Sequence, residues 1–403
     1  MRRIRISNIF RVPTMVGYAG DNKWLIYLGK SIIITLLSLL LSHIVLYDLE
    51  NIASFVSADK SSDFQISDIY NSMADFRHVS QVSQSVTVVA VDNCTRQDLL
   101  DVLELVSEYA PKAIGLDIFY KSANDSMQVI NTLQNIPNLV LPCKLELAND
   151  GQYFRQNYSF VEKYVDTDYA YINLNASDAN DVIRDFTPWI LTTDGDTLLH
   201  MASALAKIAA PKQYVTLRER NNPIETIQFS SVDIPIVTSD EVLTAKDDDY
   251  LTRYITDRVI LVGDIQHMND MHTTPLKGMI PGVLIHAYSL NTILTSLYID
   301  STPQWFNWLI ALLITIAFVF TSFFFKELWS HVGNAAIRSM QILLMFSMVI
   351  IGAYWYNNHM QYIDFTQVVL MIGFSALASD FCDAILAIYL KSNKLINKYK
   401  KNK

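Results

Sequence analysis

The 403-residue chain contains no nucleophile elbow, no H-E-x-x-H pair and no glycine-rich phosphate loop ending in Lys-Ser or Lys-Thr. These motifs mark serine hydrolases of the α/β type, zincins and P-loop enzymes. Their absence sets the expectation of a protein that is not an enzyme. No internal repeat and no low-complexity linker divides the chain. Cysteine is scarce, with Cys94, Cys143 and Cys382 alone. Cys94 and Cys143 both follow strand-like runs, and whether they pair stays open, because spacing does not show proximity. Base is absent from "NNHMQYID" (357–364), and acid is absent from 391–403, which carries six lysines.

What is abundant is apolar sequence. A membrane-spanning helix needs about 20 mostly apolar residues, and residues 25–47, 305–325, 340–356 and 365–390 meet or approach this. Lys30 interrupts the first run near its end, where its stem reaches the headgroups. No small-x-small cleavage site follows that run, so it reads as an uncleaved anchor. Arg2, Arg3, Arg5, Arg11 and Lys23 precede the first span, and the lysine-rich tail follows the last. Basic flanks stay in the cytoplasm. The expected layout is therefore a cytoplasmic N-terminus (1–24), helix (25–47), external domain (48–302), helix (305–325), cytoplasmic loop (326–339), helix (340–356), external loop (357–364), helix (365–390) and cytoplasmic tail (391–403). Residues 48–302 hold 35 acids and 17 bases, a net charge of −18, against +9 for the rest. Such a domain repels nucleic acid and anionic lipid. The partner that the basic ends imply is the lipid bilayer.

Within 48–302, "VTVVAVD" (86–92), "AIGLDIFY" (113–120) and "NLVLPC" (138–143) read as strands with amphipathic helices between them. Thr95 and Asp98 start the first helix, and Met127, Ile130, Leu133 and Ile136 mark the face of the second. Nearly continuous apolar strands alternating with helices predict a mostly parallel sheet covered on both faces. The fold class is thus an α/β extracytoplasmic domain inserted between one N-terminal and three C-terminal transmembrane helices. Further along, "YAYINLN" predicts a strand, 197–210 a helix, "YVTLRER" and "TIQFSS" a hairpin around "NNP", "RVILVGD" a buried strand, and 282–299 a helix. Only "DSTPQ" separates that helix from the second span.

The stretches "VVAVD", "AIGLDIFY", "NLVLP", "INLNASDANDVIRDF", "VILVGD", "DMHTTPL" and "MIPGVLIHAYSLNTIL" resemble, in that order, the second type of CHASE domain. This is the cyclase- and histidine-kinase-associated sensory extracellular domain of bacteria. The resemblance covers roughly residues 64–300 together with the one-plus-three span pattern. It departs at Asp181, where the family commonly has glycine before its arginine, here Arg184. It departs again after Leu390, where many members carry a kinase or cyclase. The resemblance therefore implies a sensor in the bacterial inner membrane with a periplasmic domain and both termini inside. Its ligand is unnamed, its output is a separate cytoplasmic protein, and a homodimer is implied by the family's dimeric outputs.

Ligands of open α/β sheets bind beyond the carboxyl ends of strands. Asp92, Asp264 and the loop after it fall there, and Asp117 lies near such an end. Carboxylates with imidazole suit a cation, an amine or a hydroxyl-rich ligand, and Arg184 would admit a phosphate. The alternative is that Asp117 and Asp264 bond backbone amides and shape turns. His267, Asp270 and His272 match no zinc spacing of known geometry, so neither metal nor cofactor is expected. The family pattern instead picks out Asp270, Thr274 and Pro275. His286 reads as a core histidine or a reporter of pH. In the last span Asp380 and Asp383 share a face, about 16 and about 12 Å below Lys391 at the helical rise. They are either intramembrane acids or interfacial ones paired with Arg338 and Lys326, and Ser375 with Ser379 forms a small-xxx-small face. Three functions follow: a sensor, a structural scaffold subunit of an envelope complex, or a transporter-like subunit using Asp380 and Asp383.

Overall fold

The computed structural model describes residues 23–56, 66–75, 81–121, 126–148, 151–156, 158–174, 182–229, 232–245, 248–328 and 333–401. The basic residues before position 23 and Asp181 lie outside these. The chain begins with α1 (Lys23–Val56), α2 (Ile66–Asp75), β1 (Val86–Ala90), α3 (Arg96–Glu108), β2 (Ala113–Leu116), α4 (Ser126–Asn135), β3 (Leu139–Leu147), β4 (Tyr153–Gln156) and β5 (Asp168–Tyr171). Next come β6 (Asp185–Phe186), β7 (Trp189–Leu191), β8 (Thr197–Leu199), α5 (Met201–Ala209), α6 (Pro211–Arg220), β9 (Glu225–Thr226), β10 (Ile236–Thr238), α7 (Ser239–Thr244) and α8 (Asp248–Ile255). The rest is β11 (Val259–Gly263), β12 (Met271–Thr274), β13 (Gly278–Pro281), α9 (Gly282–Thr295), β14 (Asp300–Ser301), α10 (Gln304–Leu328), α11 (Gly333–His359), β15 (Gln361–Tyr362) and α12 (Thr366–Lys401). Two units emerge: a sheet unit, 59–300 with 353–362, and a helical unit of the remaining segments.

The sheet unit is built on the order β10-β1-β11-β2-β3-β4. All pairings along it are parallel except β3 with β4, and β5 joins β3 in parallel. The sheet is thus mixed and mostly parallel, as the runs predict. Strand β3 serves two neighbours because it is long: Val140–Cys143 pairs with β5 and Lys144–Leu147 with β4. Alternation then divides the apolar residues between two cores. Val86, Val88, Val259 and Leu261 meet Leu205, Val283 and Leu290 on one face. Val89, Ile114, Ile260 and Val262 meet Leu100, Leu103, Val106 and Leu251 on the other. Each such side chain stabilises the fold by roughly 1.5–3 kcal/mol relative to exposure. Gly115 and Gly263 let helices approach the first face closely. A Cβ at Gly115 would lie 2.7 Å from Leu205 Cδ1, and one at Gly263 2.9 Å from Val283 Cγ2.

Helix α3 carries the expected capping box between Thr95 and Asp98. Four other expectations need correction. The helix expected over 197–210 begins only at Met201, because Thr197–Leu199 pairs with β7 as a strand and His200 caps the helix. Residues 211–220 are helix α6 and not a hairpin strand. Pro211 occupies the first turn, where its fixed φ suits a helix, and Leu217 is buried while the β-branched Val215 faces outward. In α4 the buried face is Val129, Ile130 and Leu133, and Met127 is exposed. Helix α9 stops at Thr295, because Ser296 adopts φ 53°, so it does not run on toward residue 299.

In the helical unit α1, α10 and α12 pack on one another around Ile34, Phe318, Val368 and Ile372, with Met348 from α11. The buried side of α1 is a stripe of Ser31, Thr35, Ser38 and Ser42. The serines donate to carbonyls three or four residues back, which removes their need for outside partners. Ile33, Leu36, Leu40 and Ile44 on the same helix are exposed. Four helices, at 24–45, 304–328, 333–359 and 366–385, are long and apolar enough to cross a membrane.

Candidate functional site

Strands β1, β11 and β2 are neighbours in the middle of the sheet and end level. Ala90 is opposite Gly263, Val262 is opposite Leu116, and the Asp117 N–H donates to the Val262 carbonyl at 2.8 Å. This registry brings Asp92, Asp264 and Asp117 to one carboxyl edge. Asp92 Oδ1 accepts from the amides of Ile265 (2.7 Å) and Gln266 (2.9 Å). Asp264 Oδ1 accepts from those of Gln266 (2.8 Å) and His267 (3.0 Å). Both carboxylates shape the turn after β11. They also hydrogen-bond each other: burial and this bond raise the Asp92 pKa, while the bond from Asp92 lowers that of Asp264. Of the two, Asp92 is the one more readily protonated.

The chain then forms a 3₁₀ turn at Met268–Asp270 and the β12–β13 hairpin. Thr274 is buried and its hydroxyl donates to the Gly278 carbonyl at 3.0 Å, closing that hairpin. Asp270 reaches back to the start of α9, where its Oδ2 accepts from the Gly282 N–H at 3.2 Å. A carboxylate is stabilised there by the free amides and the helix dipole. His272 Nε2 lies 3.6 Å from Asp270 Oδ1.

Behind this hairpin lie an acid and two histidines displaced far from their ordinary chemistry. Asp117 is pushed up to about 7, first by desolvation and then by the charge of Asp270. His286, buried on α9, is depressed to about 4, chiefly by desolvation. His200, which the sequence reading passed over, is buried beside it with ring centroids 5.0 Å apart, and burial holds its pKa well below the usual histidine range. Its Nδ1 accepts from the Ala202 N–H at 3.3 Å as the cap of α5. That fixes the proton on Nε2. His286 bonds the backbone of Ile172. His200 Nε2 and His286 Nδ1 have no hydrogen-bond partner. The rim thus combines a hydrogen-bonded carboxylate pair, a carboxyl that titrates near neutrality, and neutral imidazoles with unspent polar atoms. This set suits an amine, another cation or a hydroxyl-bearing ligand. Among the described residues no group of three His, Cys, Asp or Glu side chains is arranged to hold a metal ion, and the three cysteines are free.

Arg184 serves elsewhere. Its Nε and Nη2 donate to the two carboxylate oxygens of Asp68 on α2, at 2.9 and 2.8 Å, in a nearly buried fork. The preceding Ile183 N–H donates to the Thr273 carbonyl of the hairpin at 2.8 Å. Helix α2 also presents Asn71, whose Oδ1 accepts from the Tyr356 hydroxyl at 2.8 Å, and Tyr70, which packs on Tyr356 and Tyr362. In the helical unit, Arg338 Nη2 lies 3.1 Å from Asp380 Oδ2 and Lys326 Nζ 3.5 Å from Asp383 Oδ2.

A family model described as the CHASE2 domain matches residues 53–322, well over half of the chain. The chain belongs to the CHASE2 domain family. Comparison with curated proteins and with solved structures gave no match. Membership in the CHASE2 family supports a sensory role in general, and four apolar helices beside an extracellular-type CHASE2 domain fit a membrane protein. None of the contacts of Asp68, Asn71 or His200 was visible in the order of CHASE2 motifs. The partners of Arg184 and Tyr356 lie 116 and 285 residues away, and neither charge nor periodicity points to them.

Proposed function

We propose that this chain is a membrane-anchored sensor of the bacterial envelope. Its CHASE2 domain, outside the cytoplasmic membrane, binds a small cationic or hydroxyl-bearing ligand at the carboxyl edge of its sheet. Its helices carry the event to a separate cytoplasmic protein that touches the 326–338 loop and the lysine tail. The observation that carries the reading is the group Asp117, Asp270, His272 and His286. Asp117 and His286 are held desolvated there at a cost in stability, with the more exposed Asp270 and His272 beside them, and such groups gather at functional sites. No nucleophile faces a base within the group, so binding is proposed and not catalysis.

The break at Ser296 argues against α9 as a continuous rod into α10. A second route has better support. The β12–β13 hairpin holds Ile183, Arg184 grips Asp68, and α2 grips Tyr356 near the end of α11. A ligand that binds one hairpin position better than another would bias this series, since only differential affinity shifts an equilibrium. Asp380 and Asp383, each beside a cation, read as interfacial ion pairs and not as a proton path.

The test uses the full chain in nanodiscs, melted in the presence of amines, polyols, amino acids and divalent cations. A ligand at 100 times its Kd raises stability by about 2.7 kcal/mol, and Asp117→Asn should abolish the gain. If every compound leaves the melt unchanged, the small-ligand reading falls and a scaffold subunit takes its place. Orientation is checked separately. Alkaline phosphatase fused after Ala245 is expected to be active, and an active fluorescent protein there instead would place the domain inside.

A further inference from the structure

We propose that the helical unit holds the headgroup of an acidic, hydroxyl-bearing phospholipid in a cavity between α10, α11 and α12. The cavity has a volume of about 260 Å³. Its lining mixes Lys326, Asn334, Arg338, Ser379 and Asp380 with Phe318, Val319, Phe323 and Ile337. Lys326 lies in the last turn of α10, and Asn334 and Arg338 in the first two turns of α11. The two cations therefore gather where two apolar helices terminate, the level of lipid headgroups, and Phe318 lies about two turns further back along α10. Gln341 sets the floor. Its Nε2 donates to the carbonyls of Ile372 (2.6 Å) and Gly373 (3.0 Å) on α12.

The lining holds two cations, Lys326 and Arg338, and one carboxylate, Asp380, while Asp383 lies against Lys326 Nζ at 3.5 Å, so an anionic headgroup enters by drawing donors from these pairs. The ion pairs do not exhaust the cations. Arg338 engages Asp380 through Nη2 alone, while its guanidinium carries five N–H groups. Both pairs are more than half exposed on at least one side, and such pairs are weak enough to rearrange around a phosphate. Ser379, Asn334 and the Asp380 carboxylate offer hydrogen bonds to the hydroxyls of a glycerol-type headgroup. A water-soluble phosphate would satisfy the cations and leave Phe318 and Phe323 of the lining without an apolar partner. A phosphodiester that carries acyl chains meets both. Basic pockets between spans bind anionic headgroups by this division of labour.

The experiment takes the full chain from vesicles of equal phosphatidylglycerol and phosphatidylcholine into detergent for native mass spectrometry. The expected result is a one-to-one phosphatidylglycerol adduct. Affinity should fall roughly thirtyfold when Lys326→Gln and Arg338→Gln are combined. Ser379→Phe, which fills the cavity and leaves both cations in place, should lose the adduct as well. Circular dichroism identifies variants that keep wild-type helicity, and the half-exposed Lys326→Gln serves as the mildest of them. Equal retention of the two lipids, or undiminished retention by any folded variant, overturns the proposal. So does displacement of the lipid by inorganic phosphate, which would mark a site for a free anion.

Discussion

Both units have apolar cores, but the helical unit also buries a stripe of hydroxyl side chains and turns large aliphatic ones outward. In the sheet unit Val, Ile and Leu are inside, and most charged groups face out. In the helical unit Ser31, Thr35, Ser38 and Ser42 are inside, while Leu36, Leu40, Leu313, Ile350 and Ile388 face out. Burial of apolar surface drives association only where water is the alternative. Helices that meet through small hydroxyl residues and show large aliphatic ones to their surroundings are built for a hydrocarbon solvent. The contrast therefore fits a membrane protein, as the four long apolar helices do.

The sharpest way to break this comparison is to make one substitution in both units. Leu205→Ala, in the sheet-unit core, is expected to cost about 2–5 kcal/mol, read as a loss of urea resistance. Leu313→Ala, 59% exposed on α10, should stay within about 0.5 kcal/mol in detergent. Equal costs would mean that Leu313 is covered by protein. Next in size is Arg184→Gln. It leaves Asp68 charged and nearly buried, at a cost of about 3 kcal/mol, and Asp68→Asn in the same chain should recover part of it. A loss without recovery would show that Arg184 acts through other contacts.

The pH dependence of the sheet unit sharpens the contrast further. The Asp117 pKa is raised from 3.8 to about 7 in the fold. Its contribution is fully present below the lower value and is lost as pH rises through the upper one. Asp117→Asn should therefore gain about 2–4 kcal/mol over wild type at pH 8 and little at pH 4. His286 works in the other sense. Its pKa falls from 6.5 to about 4, so stability is present above the higher value and declines as pH falls through the lower. Below both, the loss is roughly 3 kcal/mol, and His286→Gln should flatten that acid limb in melts from pH 7 to pH 4. A wild-type profile that is flat on both sides would mean that water reaches the pair. The smallest effect is expected from Asp383→Asn. Its partner Lys326 is 50% exposed along the side chain, and the change should be about 0.5 kcal/mol or less.

Legibility followed the range of the interactions. Strands β1, β2 and β11 were readable because each is a continuous apolar run, and the α3 capping box because both partners lie within four residues. Asp92, Asp117 and Asp264 were readable as strand-end carboxylates, though not the hydrogen bond between Asp92 and Asp264. Segment 211–220 was misread because Val215 and Thr216 suggest a strand, whereas Pro211 and the burial of Leu217 decide for a helix. The end of α9 was misread because a serine at positive φ carries no mark in sequence. His200 and the Asp68 fork were missed because only the folded chain brings distant segments to them.

Asp270 sits on the first free amide of α9 from across the β12–β13 hairpin, 12 residues earlier in the chain. A Cβ at Gly282 would come within 2.9 Å of its carboxylate, so the fit tolerates almost no larger residue. The hairpin and the first turn of α9 thus form one cooperative segment. Whatever lifts the hairpin uncaps the helix in the same event, and solvent reaches both sets of amides together.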